Sequence, residues 1–298
     1  MARSMSLLVS VLVLSIAAAA QAPQAKPAPQ APEPMTVEPI AKDLYLVKGG
    51  AGANTAFFVQ KKDVLVIDAK MTPEAAAEML AAIAKVTPKP VTTIILTHSD
   101  GDHVNGLPGF PKGLRIIAQE NVKRDMEKAA ADLPALKDYL PTLVYGESIG
   151  QTVKGSGVEL RHFGPAHTDG DTCVFFPQLG VVFVGDLAFV GRDPLVHLQK
   201  NGTTVGYVKT LEAILALKPA VRTVLSGHAD PLPRADIESL KTSLADKLAK
   251  VQDMVAAGRS LDDVRKAFGI EAPADAPGGR RRWLSFVEAA YIELTSKK

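Results

Sequence analysis

The sequence predicts a layered α/β fold with partly antiparallel sheets. Three observations carry this: short runs rich in valine, isoleucine and phenylalanine recur along the chain, turn-like gaps short enough for hairpins separate the first of them, and stretches of helical periodicity interrupt them without strict β-α alternation. In order, "LYLVKGG", "NTAFFVQ" and "DVLVIDA" read as strands joined through "KGGAGAN" and "KKD". "TPEAAAEMLAAIAKV" reads as a helix from a Thr72 cap through Pro73 to Val86, since a threonine oxygen can accept from unpaired first-turn N–H groups and proline has none to lose there. "VTTIILTH" is the next strand, "LRIIAQ" another, and "NVKRDMEKAAADL" a helix. "VELRHFG", "TCVFFP" and "VVFVGD" follow as successive strands, then "VGYVKTLEAILAL" as a helix and "VRTVLSGH" as a strand. A long amphipathic helix from 233 to about 257 and two helical stretches, "SLDDVRKAFG" and "RWLSFVEAAYIEL", close the chain. No internal linker divides residues 36–298, which are expected to form one domain.

Residues 1–20, "MARSMSLLVSVLVLSIAAAA", set Arg3 before an apolar stretch and end in small residues, the layout of a secretory signal peptide cleaved after Ala20. That stretch is too short at about 1.5 Å per residue to cross a hydrocarbon core of about 30 Å. Residues 21–35 are rich in proline, alanine and glutamine and read as an extended tether. An exported protein, periplasmic or secreted, is therefore expected, with no integral membrane span after cleavage. The balance of 34 basic against 32 acidic residues leaves a net charge of only +2, which argues against nucleic acid as a partner. "GRRRW" at 279–283 is the one short basic run and reads as a solvated helix start. The single cysteine, Cys173, sits in a strand pattern and is expected to be a core residue.

Polar residues recur where predicted strands end. "ILTHSDGDHVNG" places His98, Asp100, Asp102 and His103 after one strand; His167 follows "LRHFGPA", Asp186 ends "VVFVGD" and His228 ends "TVLSG". Imidazole nitrogens and carboxylate oxygens bind zinc at about 2.0–2.2 Å and must converge from separate elements, which rigid strand ends can arrange. Glycines 101, 106, 164, 170, 185 and 227 would let the backbone turn beside such ions. A histidine and aspartate set without a cysteine pair points to an open, catalytic site. His162 and His197 match no motif and are expected to be structural, and Asp169 and Asp171 of "TDGD" to shape their loop by hydrogen bonds.

The pieces "HSDGDH", "GPAHTDGD", "FVGD" and "SGH" resemble, in order and placement, the metallo-β-lactamase fold superfamily, whose pattern is H-x-H-x-D-H, a later His, an Asp after a strand and a final His. The resemblance spans about residues 36–230. It implies a four-layer αββα sandwich of two mixed sheets flanked by helices. It further implies one metal site from His98, the residue at 100 and His167, a second from Asp102, His103 and His228, and Asp186 between the two ions. Asn54 and Asp68 are expected to shape the fold and not to ligate.

Asp100 stands where the family pattern has histidine. Two divalent ions, three aspartates and one hydroxide sum to zero charge, where a histidine would leave one positive charge. Harder oxygen ligands would admit manganese or iron, with zinc as the first expectation; a site holding only the second ion, with Asp100 idle, is the other arrangement. The function expected is that of a metallohydrolase acting on a small-molecule ester, lactone, thioester or amide through a metal-activated water, with Asp102 orienting the nucleophile and moving a proton. The alternatives are a β-lactamase, an iron-dependent oxidoreductase or dioxygenase of the same fold, and a non-catalytic metal-binding module. Residues 187–204 are expected to wall the site, with Arg192, Lys200 or Asn201 meeting a substrate carboxylate.

Overall fold

The structure is a computed structural model and describes residues 33–146, 152–153, 157–271 and 283–296. The predicted signal peptide, most of the tether and all of "GRRRW" except Trp283 lie outside the described residues. The first sheet has seven strands in chain order: β1 (Thr36–Ala41), β2 (Leu44–Lys48), β3 (Thr55–Val59), β4 (Val64–Ile67), β5 (Val91–Ile95), β6 (Arg115–Gln119) and β7 (Leu143–Tyr145). Tight connections make β1 to β4 antiparallel. From β4 onward the pairing is parallel, because longer crossovers intervene, among them α1 (Pro73–Val86), α2 (Gly101–Val104) and α3 (Glu120–Ala129).

The second sheet comprises β8 (Thr152–Val153), β9 (Val158–Arg161), β10 (Cys173–Phe176), β11 (Val181–Phe183), β12 (Thr223–Leu225) and β13 (Leu232–Pro233), again side by side in sequence order. Only β11 and β12 pair in parallel, and α4 (Thr204–Ala216) lies between them in the chain. Helices α5 (Arg234–Ala256), α6 (Leu261–Ala267) and α7 (Phe286–Ser296) complete the fold.

Side-chain alternation along the strands builds the layers. Ile95, Ile67 and Leu46 of the first sheet meet Leu160, Val174, Phe183 and Leu225 of the second in one core. Ile94, one residue away, faces outward onto Met79 and Ile83 of α1 and Met126 of α3. On the far side, Phe175, Val182 and Val224 pack against Tyr207, Leu211, Leu244 and Phe286 of the helical layer. The result is the αββα sandwich of two mixed sheets that the sequence resemblance implies. Cys173 is buried in this core, where burial pushes its thiol up, away from the reactive thiolate.

Local chemistry sets the helix ends. Thr72 caps α1 by accepting from the Ala75 N–H at 3.2 Å. The final helix starts at Phe286 and not at Trp283 of the predicted stretch, because Ser285 accepts from the Glu288 N–H at 3.3 Å while Glu288 accepts from the Ser285 N–H at 2.9 Å. Strands β1, β7, β8 and β13 are additions to the sequence reading; β8 and β13 have two residues each, too few for a period to register.

Candidate metal centre

Four strands end at one edge of the sandwich and deliver the site. Asp68 follows β4, His98 and Asp100 follow β5, Asp102 and His103 lie on α2, Asp186 follows β11 and His228 follows β12. His167 comes from the loop between β9 and β10, which is tied by Asp171 accepting from the Thr168 N–H and hydroxyl. Two glycines allow the approach. Gly185 adopts φ +55°, and a Cβ there would lie 2.6 Å from Thr97 Oγ1. At Gly227 a Cβ would lie 2.6 Å from Asp186 Oδ1 and 2.8 Å from His103 Cε1.

All seven predicted residues converge. His167 Nε2 lies 3.2 Å and His98 Nε2 3.7 Å from Asp100 Oδ2. On the other side, Asp102 Oδ2 stands 3.0 Å from His228 Nε2 and 3.7 Å from His103 Nε2. Asp186 faces both groups: Oδ1 is 3.1 Å from His103 Nε2, and Oδ2 is 3.3 Å from His228 Nε2 and 4.0 Å from His167 Nε2.

Hydrogen bonds fix which nitrogen of each ring is free. Asp68 is fully buried and, as a carboxylate, can only accept: Oδ1 from the Thr97 N–H at 2.8 Å, Oδ2 from the Thr97 hydroxyl at 2.8 Å and from His103 Nδ1 at 2.8 Å. With its one proton committed to Asp68, the Thr97 hydroxyl must accept from His98 Nδ1, 2.9 Å away. His167 Nδ1 donates to the Leu195 carbonyl at 2.9 Å. All three rings therefore carry their proton on Nδ1 and turn Nε2 toward the cluster, the outer-shell arrangement of histidines that bind metals.

Electrostatics confirm a demand for positive charge. Burial pushes the Asp100 carboxyl up, but hydrogen bonds from His167 and His197, with the nearby His98 ring, outweigh it and hold the group far below the usual carboxylate range. Asp186 is likewise held low against burial by His103 and His228. Burial pushes the imidazoles of His167 and His228 down, yet the neighbouring carboxylates raise both to about 9. Carboxylates that favour the protonated imidazoles in this way would equally favour a divalent cation among them.

The donor set fits such ions. His98 Nε2, His103 Nε2 and Asp186 Oδ1 are buried without a hydrogen-bond partner, although each is within reach of the others in one candidate ion group. Bonds of about 2.0–2.2 Å place tetrahedral donors about 3.3–3.6 Å apart. The carboxylate-to-imidazole separations within the trios run from 3.0 to 3.7 Å, and all the ligand atoms of a trio lie within 4.8 Å of one another. Two further trios, His98–Asp100–His167 and Asp102–His103–His228, match the two predicted sites.

Residues 49–228 match the family model of the metallo-beta-lactamase superfamily. The chain belongs to that superfamily. Over 267 residues it is 27% identical to the 2,4-dinitroanisole O-demethylase subunit alpha of Nocardioides sp., covering 87% of this chain and 77% of that protein. It is 24% identical over 202 residues to the metallo-beta-lactamase IND-1 of Chryseobacterium indologenes, covering 64% and 80%. The crystal structure of a metallo-beta-lactamase from Erythrobacter litoralis superposes with a TM-score of 0.58 at 19% identity, covering 72% of this chain and 96% of that one. The superfamily binds metal ions, and the His/Asp cluster occupies the matched region of the chain.

Two sequence expectations need correction. His197 was expected to be merely structural. Its ring instead lies in the site: Nδ1 accepts from the Gln199 amide at 2.7 Å, so Nε2 carries the proton and donates to Asp100 Oδ2 at 2.8 Å. No pattern flagged it because it lies in an irregular loop, and a histidine in the loop between the Asp186 strand and the next helix was the only available signal. Lys200 and Asn201 are not free to meet a substrate. Lys200 Nζ is 2.6 Å from Asp100 Oδ1, and Asn201 donates to Asp169 at 2.7 Å. Arg192 remains available and stacks over Phe189, 4.4 Å from the ring centroid.

The site opens into a cavity of about 440 Å³ between the 189–200 segment and the Trp283 and Leu284 side chains. Phe189 stacks on His228 and Trp283 meets His197 edge-on, so aromatic rings flank the metal-facing groups. Among the described residues no helix is long and apolar enough to cross a membrane.

Proposed function

We propose that the protein is an exported metallohydrolase with a dinuclear centre, zinc being the preferred ion, which cleaves an ester, lactone, thioester or amide of a small molecule. The single observation that carries this reading is the convergence of two His/Asp trios with Asp186 facing both, their free nitrogens aimed inward by separate hydrogen bonds. His98, Asp100 and His167 would hold one ion, Asp102, His103 and His228 the other, and Asp186 would face both. Such ions, when bound, lower the pKa of water and polarise a carbonyl oxygen. Asp102 is partly exposed to the cavity and its Oδ2 lies between His228 and His103. From there it orients an attacking water and accepts its proton. Phe189 stacks on His228, and Leu195 and Trp283 line the same cavity, so apolar surface borders the reacting groups.

The wall supports a substrate with an apolar or aromatic body and an anionic group. Met71, Phe189, Leu195 and Trp283 supply apolar surface, and Arg192 is the lining cation left without a carboxylate partner among the described residues. The likeness to an O-demethylase of an aryl methyl ether over most of the chain supports including activated aryl ethers among the substrates tested. The test is turnover by zinc-loaded protein on a panel of aryl esters, lactones, thioesters, 2,4-dinitroanisole and nitrocefin. Hydrolysis of esters or lactones with two zinc ions bound supports the reading. Iron as the native metal, with oxygen consumption and no hydrolysis, overturns it.

A further inference from the structure

The replacement of a histidine by Asp100 has a structural counterpart that the family pattern does not include. Each oxygen of Asp100 has its own donor from the same distant loop. Oδ1 receives Lys200 Nζ at 2.6 Å, and Oδ2 receives His197 Nε2 at 2.8 Å. Lys200 is held on this spot by Ser99, whose hydroxyl and carbonyl oxygens lie 3.0 and 3.3 Å from Nζ. The His197 tautomer is set by Gln199, so its Nε2 is a donor and not a metal-binding lone pair.

We propose that Asp100, Lys200 and His197 form one composite unit that takes the place of a ligand histidine at the first ion site. Asp100 Oδ2 is the ligating atom, turned toward His98 and His167 because Lys200 occupies the opposite oxygen. Charge closes the argument. Two divalent ions with three aspartates and a hydroxide are neutral, and the Lys200 ammonium restores the single positive charge that a histidine at position 100 would leave. The carboxylate's extra negative charge therefore does not weaken the electrophile. Lys200 and His197 are positioning residues here, and the proposal rests on the two-ion reading above.

The test is a calorimetric zinc titration of the metal-stripped full chain, with cobalt(II) absorption as a second readout of first-site geometry. The wild type is expected to bind two ions. Lys200→Met is expected to weaken the first ion about 10- to 100-fold, the range seen when an outer-shell partner of a ligand is removed, and to leave the second unchanged. His197→Phe, which keeps a ring against Trp283 but cannot donate, is expected to act in the same direction. The decisive comparison is the Asp100→His background, where neither substitution has a carboxylate to act on. There, Lys200→Met is expected to change the first-site affinity less than about 2-fold, a coupling a double-mutant cycle reads directly. An equal loss in both backgrounds shows that Lys200 merely holds the Ser99 backbone and overturns the proposal, as does no loss in either. One ion bound by the wild type overturns the proposal together with the dinuclear reading, whereas two ions with an insensitive Lys200 overturns only the proposal.

Discussion

Asp68→Asn tests whether one buried carboxylate sets the tautomers of a ligand histidine on each side of the centre. Asparagine tolerates the positive φ of 62° that Asp68 adopts, so the backbone is not the variable. With its carbonyl kept on the Thr97 N–H, the amide nitrogen takes the Oδ2 position, where it faces two donors, the Thr97 hydroxyl and His103 Nδ1. His103 must then move its proton to Nε2, and Thr97 must reverse and donate to His98, moving that proton to Nε2 as well. Both Nε2 atoms now present N–H to the ion sites. Two hydrogen bonds to a charged acceptor are lost, each worth about 1.5–3 kcal/mol. Since the reversed network recovers part of this, a net loss of about 3 kcal/mol is expected, or a fall in Tm of about 6–12 °C at about 2–4 °C per kcal/mol for a domain of this size. Affinity for both ions should fall about 10- to 100-fold. Zinc titration, thermal unfolding and long-range 15N correlation of the imidazoles measure the three effects. Native affinity with His98 and His103 still protonated on Nδ1 would refute the reasoning.

Further outcomes follow from the same geometry. In metal-free protein, His167 and His228 have folded pKa values of about 9 against 6.5, so their contribution is complete below about pH 6.5 and is lost as pH rises through 9. Asp100 and Asp186 are held below 3.8 and contribute above it, so chemical denaturation should show greatest stability between about pH 4 and 6.5, with zinc extending it toward pH 9. Gly227→Ala would push a methyl group into Asp186 Oδ1 and His103, and should lower zinc affinity while far-UV circular dichroism stays native. Lys70 is fully buried, and its ammonium donates to the carbonyls of Gly49 and Ala53 at 2.8 Å each, so Lys70→Met should cost about 2–3 kcal/mol in denaturant unfolding. Arg192→Ala should raise KM for anionic aryl esters and leave that for neutral ones unchanged.

The order of ligands along the chain was legible because each one follows an apolar run, and a strand's C-terminal edge is fixed by its own periodicity. His98, Asp102, His103, His167, Asp186 and His228 could therefore be named from local pattern; the spacing of short strands among helices gave a layered α/β fold, and the resemblance to the superfamily made it a sandwich. What the pattern could not show was direction and partnership. Asp68 and His103 are 35 residues apart, and Asp100 and Lys200 are 100 apart. Their bonds exist only once two sheets pack and a loop folds back over the edge. For the same reason Lys200 read as a free cation and His197 as a bystander: a side chain's hydrogen-bond partner is set by what the tertiary fold brings within about 3 Å, and no one-dimensional spacing contains that distance.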